Sequence, residues 1–399
     1  MSLPSVEAAR ATMLAAIVPL ASKAMSLAEA DGCWLAEPVT AIRDQPPFDA
    51  SAMDGWAVRS GDARHGARLA IVGESAAGHD AGVTVNPGQA ARIFTGAALP
   101  PGTDRVVIQE EAQRDGDTVV LAAAPDAPTW VRPQGWDFRT GAILLEPGTR
   151  LNPWRLALAA SAGGATVTCR RRPMVAILST GDELVAPGQD AGPHQIYDAC
   201  APALAAFVRR SGGTVVHLGP ARDADASILA AIDGGAFDLL VTVGGASVGD
   251  HDRVKPAVRS AGGVLSVEGV AVRPGKPVWF ARLADGRPLL GLPGNPASAL
   301  VCAELFLGPL IAALQGGSAE PEPIRAILAS PLPANGPREH YMRAVVETGS
   351  DGVRRVRPMV DQDSSLVTVM AAANGLVRRL PGAEALPAGA EVEVLAPGR

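Results

Sequence analysis

The sequence predicts a multidomain protein that combines an α/β domain with β-rich units and short helical segments. The chain has 399 residues, more than the roughly 100–200 residues of a typical domain. Hydrophobic residues make up 47% and charged residues 19%, which is enough apolar material for several packed cores. From residue 173 onwards, continuous apolar segments alternate with helical ones, as in α/β domains. Residues 48–145 instead contain short apolar runs interrupted by Gly, Pro and Asp, which is typical of β-rich units.

The N-terminal region is predicted to begin with a helix. Residues 5–30 are expected to form an amphipathic helix capped near Ser5, followed by a strand over 35–42. From residue 48 to 145 we expect an all-β unit, because turn residues recur at short intervals. A second helix is expected over 153–162, with Pro153 in its first turn.

The α/β domain is identified by apolar strands without polar interruptions, at 174–178, 214–218, 237–243, 278–281 and 288–292. The helices between and after them are expected at 199–210, 224–232 and 296–314. Strands that are apolar throughout are buried on both faces, so we expect a parallel sheet covered by helices on each side.

The last segment, from about residue 321, predicts a small C-terminal β unit. Its strand-like runs lie at 324–329, 340–346, 353–356 and 391–395. The whole chain is therefore expected to contain four units. These are a linker domain (1–45 with 146–172), a β-rich domain (46–145), the α/β domain (173–317) and the C-terminal β domain (318–399).

Charge and cysteine content exclude several classes of function. The formal net charge of −6 argues against non-specific nucleic-acid binding, which requires a positive surface. No run of 18 or more apolar residues is present, so a membrane span is not expected. The four cysteines are widely spaced and include no CxxC pair. This distribution is typical of reduced thiols and predicts a cytoplasmic protein.

The sequence contains three lysines, Lys23, Lys255 and Lys276, against 32 arginines. Compositional bias is one interpretation of this excess, but a lysine kept in such a background suggests a need for its compact charge. Lys276 lies in the turn Arg273-Pro-Gly-Lys-Pro, where it is a candidate ligand of an oxyanion. The alternative is a solvated lysine in a turn.

Three loops that follow apolar strands carry the candidate chemistry, because ligands of open α/β sheets bind beyond the carboxyl ends of the strands. In the first loop, backbone N–H groups at Ser179, Thr180 and Gly181 are candidates to hold an oxyanion. The carboxylates of Asp182 and Glu183 follow, and suit Mg²⁺ binding or proton transfer. The alternative interpretation is a helix cap or turn.

The second loop is glycine-rich and ends in two aspartates. Gly244, Gly245 and Gly249 permit close approach of a ligand to the backbone, and Ser247 adds a hydroxyl. Asp250 and Asp252 would share a face of an extended chain, as a Mg²⁺-assisted phosphate site requires. The loop is neither a Walker A loop nor a GxGxxG motif, and a flexible turn is the alternative.

The third loop is a rigid turn at the start of a predicted helix. It runs Gly291-Leu292-Pro293-Gly294-Asn295-Pro296, with two glycines and two prolines, and directs a helix N-terminus towards the same edge of the sheet. Such a terminus favours binding of an anion. The alternative interpretation is a purely structural turn that binds no ligand.

Taken together, seven ordered segments resemble the MoeA-type molybdopterin molybdenumtransferases, a family related to the gephyrin E domain and its plant counterpart. They are PFDASAMDGWAVR (47–59), RIFTGA (92–97), STGDEL (179–184), IYD (196–198), GGASVGDHD (244–252), RPGKP (273–277) and GLPGNPAS (291–298). The resemblance covers essentially the whole chain.

The resemblance implies a three-layer, doubly wound α/β molybdopterin-binding domain, an inserted β domain, a helical and extended linker domain and a small C-terminal β-barrel. It also implies an elongated homodimer whose active cleft lies between the α/β domain of one subunit and the β domain of the other. The reaction it implies is Mg²⁺-dependent insertion of molybdate into adenylylated molybdopterin, which releases AMP and gives molybdenum cofactor. The molybdopterin adenylyltransferase and recipient molybdoenzymes are the protein partners it suggests.

The family's functional positions carry over onto residues of the matching motifs. Asp54, Thr95, Asp137, Glu183 and Lys276 are the implied catalytic residues, and Asp182, Glu183, Asp250 and Asp252 the implied metal ligands. The implied binding residues are Ser179, Thr180, Gly181, Gly244, Gly245, Ser247, Gly249, Arg273, Pro293, Gly294, Asn295 and Pro296.

Several positions depart from the usual pattern of the family. Ala50 and Cys200 replace a common Asn, Trp136 replaces an acidic residue, and Val243 replaces a hydroxyl residue. Arg273 replaces a lysine and keeps its charge. The departures leave a second hypothesis open, a molybdopterin-binding or scaffold paralogue without turnover. A third is a transferase that acts on tungstate, a dianion of similar shape, or in an upstream adenylylation step.

Overall fold

A computed structural model describes residues 3–79, 81–122, 128–221, 228–230, 232, 235–245, 253–320 and 322–396. The helix expected over 224–232 falls largely outside these ranges. So do Ser247, Gly249, Asp250 and Asp252 of the glycine-rich loop.

The linker domain begins with helix α1 (Val6–Ala15), whose first turn is capped by Ser5 through a 3.1 Å bond from the Ala8 amide to Oγ. The expected helix over 5–30 is therefore correct only in its first half. Strand β1 (Ser22–Ser26) replaces the second half, because it pairs antiparallel along its full length with β12 (Thr166–Arg170). A partner so distant in sequence overrides the local helical pattern.

The rest of the linker is a strand pair and a helix. Strand β2 (Val39–Thr40) pairs with β11 (Ile143–Leu145), and helix α2 (Pro153–Ser161) follows. The Oδ1 atom of Asn152 accepts a 2.9 Å bond from the Arg155 amide and caps α2, with Pro153 in the first turn as predicted.

The β-rich domain is inserted between the two halves of the linker and contains a six-stranded sheet of order β7-β4-β6-β5-β9-β8. Its strands are β4 (Gly55–Val58), β5 (Arg68–Ser75), β6 (Gln89–Ile93), β7 (Arg105–Ile108), β8 (Ala112–Asp115) and β9 (Thr118–Leu121). A separate pair joins β3 (Ala50–Ser51) to β10 (Val131–Arg132).

The α/β domain contains a six-stranded sheet of order β16-β13-β17-β21-β20-β18. Its strands are β13 (Met174–Thr180), β16 (Thr214–Ala221), β17 (Leu239–Val243), β18 (Val264–Val267), β20 (Trp279–Arg282) and β21 (Pro288–Leu292). Two short strands, β14 (Leu184–Val185) and β15 (Ile196–Tyr197), pair beside it.

The expected parallel sheet is correct for four of its five predicted strands, and the sixth strand, β18, was not predicted and pairs antiparallel with β20. Strands β16, β13, β17 and β21 are parallel, whereas β20 runs antiparallel to β21. The reason is the short Asp285-Gly286 turn between β20 and β21, since a parallel connection needs a long crossover.

Helices cover both faces of this sheet, as predicted. Helices α3 (Cys200–Arg210) and α5 (Pro296–Leu314, with a π-helical stretch at Ala303–Leu307) pack on one face together with α1. Helix α4 (Val254–Ser260) packs on the other. By length and composition, α5 is the one helix in the described ranges that could cross a membrane. It is mostly buried, however, as expected of a core helix in this domain.

The C-terminal domain is a closed five-stranded barrel, which confirms the expected fold. Neighbouring strands follow the order β23-β24-β22-β26-β25, and β25 pairs again with β23. The strands are β22 (Pro323–Leu328), β23 (Glu339–Thr348), β24 (Arg354–Pro358), β25 (Gly375–Arg379) and β26 (Glu391–Leu395). Strand β19 (Val272–Arg273) pairs with β23, and helix α6 (Val367–Ala372) contacts α5, so the barrel is joined to the α/β domain.

Candidate active-site cleft

A cleft of about 1630 Å³ lies between the α/β domain and the C-terminal barrel. It opens at the carboxyl ends of the parallel strands, where the sequence predicted a site. The α/β wall includes residues 180–184, 196–200, 243–245, 273–277 and 293–296, and the barrel wall includes residues 333–336, 338, 340, 342, 360–365 and 379.

The first predicted loop follows β13 directly. Thr180 is buried, with its Oγ1 3.5 Å from the carbonyl oxygen of Val243, and Gly181 continues into the cleft at φ +151°. Asp182 and Glu183 are exposed on the cleft lining, where they are free to meet a hydrated cation. Ser179 is placed differently from expectation. Its buried Oγ does not line the cleft and has no hydrogen-bond partner within the described ranges.

The first two glycines of the second loop are required by close packing on the end of β13 and on helix α4. Gly244 has φ +91°, and a Cβ there would overlap the carbonyl oxygen of Thr180. At Gly245 (φ +57°) a Cβ would lie 2.6 Å from Cγ2 of Val254. The backbone therefore reaches the cleft without side chains, as the sequence predicted for a ligand-binding turn.

The third loop joins the two walls. The Asn295 side-chain amide donates a 2.8 Å hydrogen bond to Oγ of Ser364, and the Ala297 amide donates a 3.1 Å bond to the Ser364 carbonyl. Pro293 is buried, whereas Gly294 and Asn295 are exposed to the cleft. The loop thus sets the distance between the α/β wall and the barrel.

The turn with the scarce lysine lies between these loops. Arg273 and Lys276 are exposed on the cleft lining. Gly275 between them has φ +115°, and its buried backbone packs on Cys302 of α5, so that only glycine fits. Both charged side chains therefore extend from a turn that is anchored to the core.

The barrel wall contributes charged residues that the sequence analysis did not single out. Arg338, His340 and Arg379 line the cleft, and Arg343 lies fully buried on the same strand as His340. Burial, together with four arginines, lowers the pKa of His340 to about 4. The signal available in the sequence was the run Arg338-Glu-His-Tyr-Met-Arg343 within an otherwise strand-like segment, because charged residues are rare inside barrel strands.

Three of the expected catalytic residues lie elsewhere. Asp54 accepts hydrogen bonds from the backbone amide (2.7 Å) and Oγ1 (2.8 Å) of Thr95, and these bonds hold the pKa of Asp54 below its usual range. Asp137 is exposed on a loop bound to Gln45. None of the three lines the cleft formed within the described part of this chain.

The matched families and relatives cover nearly the entire chain. Residues 4–163 match the MoeA N-terminal region (domain I and II), 176–313 a probable molybdopterin-binding domain, and 325–396 the MoeA C-terminal region (domain IV). The molybdopterin molybdenumtransferase of Haemophilus influenzae is 34% identical over 93% of both chains, and that of Nostoc sp. is 39% identical over 78% of this chain and 74% of its own.

The chain belongs to the MoeA family of molybdopterin molybdenumtransferases. The resemblance inferred from the seven segments is thereby confirmed, as is the assignment to the transferases. Solved structures agree with it. A molybdopterin biosynthesis MoeA protein from Pyrococcus horikoshii is 30% identical, with a TM-score of 0.82 and coverage of 99% of both chains.

The departures of this MoeA chain from its family pattern fall into two groups. Arg273, Cys200 and Val243 line the cleft. Burial raises the pKa of Cys200 to about 12, and its Sγ lies 3.7 Å from the carbonyl oxygen of Gly294. Ala50 is buried in the β-rich domain and Trp136 is 72% exposed there, and neither lines the cleft.

Proposed function

We propose that the protein inserts molybdenum from molybdate into adenylylated molybdopterin with Mg²⁺ and releases AMP, giving molybdenum cofactor. The observation that carries the proposal is one cleft in which side-chain-free glycine turns, exposed cations and exposed carboxylates meet at the carboxyl ends of parallel strands. Those groups match a substrate with phosphates together with a tetrahedral dianion.

The cationic turn is proposed to hold the anions. Arg273 offers a planar fork and Lys276 a mobile point charge, and both extend into the cleft. The amides of Gly245 and Gly294 also line the cleft and add donors without side chains. These groups would orient the phosphates and molybdate and neutralise charge that develops on the leaving AMP.

The carboxylates are proposed to hold Mg²⁺. Within the described ranges no group of three or more His, Cys, Asp or Glu side chains suits a metal ion. Mg²⁺ fits nonetheless, since it retains waters and binds through one or two carboxylates and substrate phosphates. Asp182 and Glu183 are exposed at the cleft for this role, and Asp250 and Asp252 would add to them. When bound, Mg²⁺ would neutralise phosphate charge and polarise the bond to the leaving AMP.

Tyr197 is proposed to receive the flat ring of the substrate. It is 53% exposed and, apart from His340, is the aromatic side chain on the lining of the cleft within the described ranges. An exposed aromatic face in a polar cleft suits stacking on a pterin or adenine.

The β-rich residues are proposed to act from the second subunit of a homodimer. Asp54, Thr95 and Asp137 lie outside the cleft of their own chain, so they would reach a cleft only in another copy. The linker domain carries exposed apolar side chains at Ile42 and Trp154, the latter 87% exposed, and strand β11 adds Ile143 beside them; these would be covered in the dimer.

A defined insertion assay tests the proposal. Purified protein is mixed with adenylylated molybdopterin, molybdate and Mg²⁺, and both AMP release and active cofactor are measured. We expect molybdate-dependent AMP release in the wild type and its loss in Lys276→Ala and Glu183→Gln. His65→Gln is the control, because His65 is exposed in the β-rich domain and does not line the cleft.

A paralogue that binds molybdopterin without turnover is the second candidate. It is favoured by Cys200 and Val243, which line the cleft without polar side chains of the kind usual in the family. Tight binding of the adenylylated pterin without AMP release would support it. Running the assay with tungstate in place of molybdate distinguishes the two dianions.

The wider setting is proposed on the same basis. We propose the domain limits 1–45 with 146–172, 46–145, 173–317 and 318–399. We also propose a cytoplasmic location, which the four free, buried cysteines support. The molybdopterin adenylyltransferase and recipient molybdoenzymes remain the proposed protein partners, because they would supply the substrate and accept the cofactor.

A further inference from the structure

The barrel wall of the cleft contains buried cationic side chains with unused donors. His340, Arg343 and Arg379 are 6%, 0% and 3% exposed. Among the residues that the structure describes, no hydrogen-bond partner exists for Nε2 of His340, Nη1 of Arg379, or Nε and Nη1 of Arg343. Buried polar groups are normally satisfied, so this cluster points to a bound group that completes it.

We propose that this wall is an oxyanion subsite in which binding of a dianion places a proton on His340. The inference rests on the proposed function, because molybdate is the dianion that the cleft would receive. His340 and Arg379 line the cleft directly, and Arg338 lines it beside them.

Positive charge faces His340 from each element that packs against it. Arg273 on β19 and Arg379 on β25 are its cross-strand partners, and Arg338 and Arg343 flank it in sequence. The nearby carboxylates are engaged elsewhere. Glu339 accepts hydrogen bonds from the Tyr341 hydroxyl (2.8 Å) and Nε of Arg378 (2.6 Å). The negative charges of Asp361 and Asp363 stabilise the charged form of Arg343.

These surroundings leave the imidazole neutral when no anion is present. Burial and the four arginines lower the pKa of His340 to about 4, so near neutral pH it carries no charge. A dianion beside the arginines offsets their repulsion and attracts the proton. An opposite charge within about 4–6 Å raises a pKa in this way by about 1–3 units. The protonated ring carries N–H on both nitrogens, so Nε2 then donates to an anion oxygen with a full positive charge behind it.

Calorimetry on the full-length protein tests the inference with molybdate as the probe. Binding is measured between about pH 5 and 7 in two buffers with different ionisation enthalpies, which reports the number of protons taken up. Sulfate serves as a second probe because it stays a dianion over this range. We expect uptake of a fraction of one proton, and an affinity that rises several-fold as the pH falls.

Variants assign the proton to its residue. His340→Gln keeps a donor but cannot titrate, so we expect it to remove the proton uptake and the pH dependence for both anions. His65→Gln should behave as the wild type. If His340→Gln does not fold, as judged by its thermal unfolding, the wild type still tests the inference, because binding of molybdate and sulfate without proton uptake would contradict it.

The outcomes separate the inference from the function on which it rests. Molybdate binding without proton uptake, or with uptake that persists in folded His340→Gln, overturns the inference and leaves the insertion reaction standing. Failure to release AMP in the insertion assay, with proton-coupled binding intact, contradicts the reaction and not the subsite. Absence of binding by either anion at every pH overturns the inference as well.

Discussion

The α/β wall and the barrel wall present positive charge to the same cleft in different ways. On the α/β wall, Arg273 and Lys276 are exposed side chains on a turn whose backbone is anchored in the core. On the barrel wall, His340 and Arg379 are buried within paired strands, with Arg343 behind them. The α/β wall positions its charges through the shape of its backbone, whereas the barrel wall positions them by burying the charged side chains.

The difference has a physical consequence. Charges that water surrounds are screened and contribute little to stability, so they can be placed wherever a ligand requires them. A buried arginine keeps a stronger field, but it must be held by hydrogen bonds, and its removal disturbs the fold. Substitutions of the charged side chains on the α/β wall should therefore separate binding from stability, whereas those on the barrel wall should not.

The largest loss of stability is expected where the α/β wall depends on its backbone. Gly244→Ala would overlap the Thr180 carbonyl at a φ of +91°, so we expect the free energy of unfolding to fall by about 3 kcal/mol or more. Gly188→Ala is the matched control, because Gly188 has φ +92° and open space around it, and should lose only about 1–3 kcal/mol from the dihedral angle. Urea unfolding measures the free energy of unfolding of both variants. Equal losses would show that close packing against Thr180 is not why position 244 requires glycine.

The direct comparison of the walls uses one cation from each. Nη2 of Arg379 donates to the carbonyl oxygens of Ala383 and Glu384, so Arg379→Ala should lower the free energy of unfolding by about 1.5–3 kcal/mol. Lys276→Ala should change it by no more than about 0.5 kcal/mol, since this side chain is exposed. Both should weaken molybdate binding in calorimetry. A stable Arg379→Ala protein would contradict the view that burial couples charge to folding here.

The same contrast explains what the sequence revealed. The α/β wall was predictable because glycines, prolines and carboxylates follow apolar strands, and that pattern is local. The barrel wall was not, because Arg379 and Arg273 become neighbours of His340 only through the pairing of β23 with β25 and β19. In the same way, β1 was mistaken for helix because its partner β12 lies far along the chain. The antiparallel edge could have been inferred from the short turn at Asp285.

A smaller effect is expected for the bond that joins the walls. Asn295→Ala and Ser364→Ala should each lower the free energy of unfolding by about 0.5–1.5 kcal/mol, since a single 2.8 Å side-chain bond is lost while the backbone bond from Ala297 remains. In a double-mutant cycle the two should be non-additive. Asn374→Ala, which removes bonds to Val346 within the barrel, is the control and should be additive with Ser364→Ala.

The smallest effect at neutral pH is expected for Cys200, a buried and uncharged member of the α/β wall. Burial raises its pKa to about 12, whereas a thiol in the unfolded chain ionises near about 8.5. Below the unfolded value both states hold the proton, so Cys200→Ser should not alter how stability depends on pH. Above it only the unfolded state releases the proton, so stability should fall by up to about 1.4 kcal/mol per pH unit. Urea unfolding between about pH 8 and 10.5 should show a shallower fall in Cys200→Ser than in the wild type. Equal slopes would mean that the Cys200 thiol ionises in the folded protein too, and that the α/β wall acquires a negative charge beside Gly294 at alkaline pH.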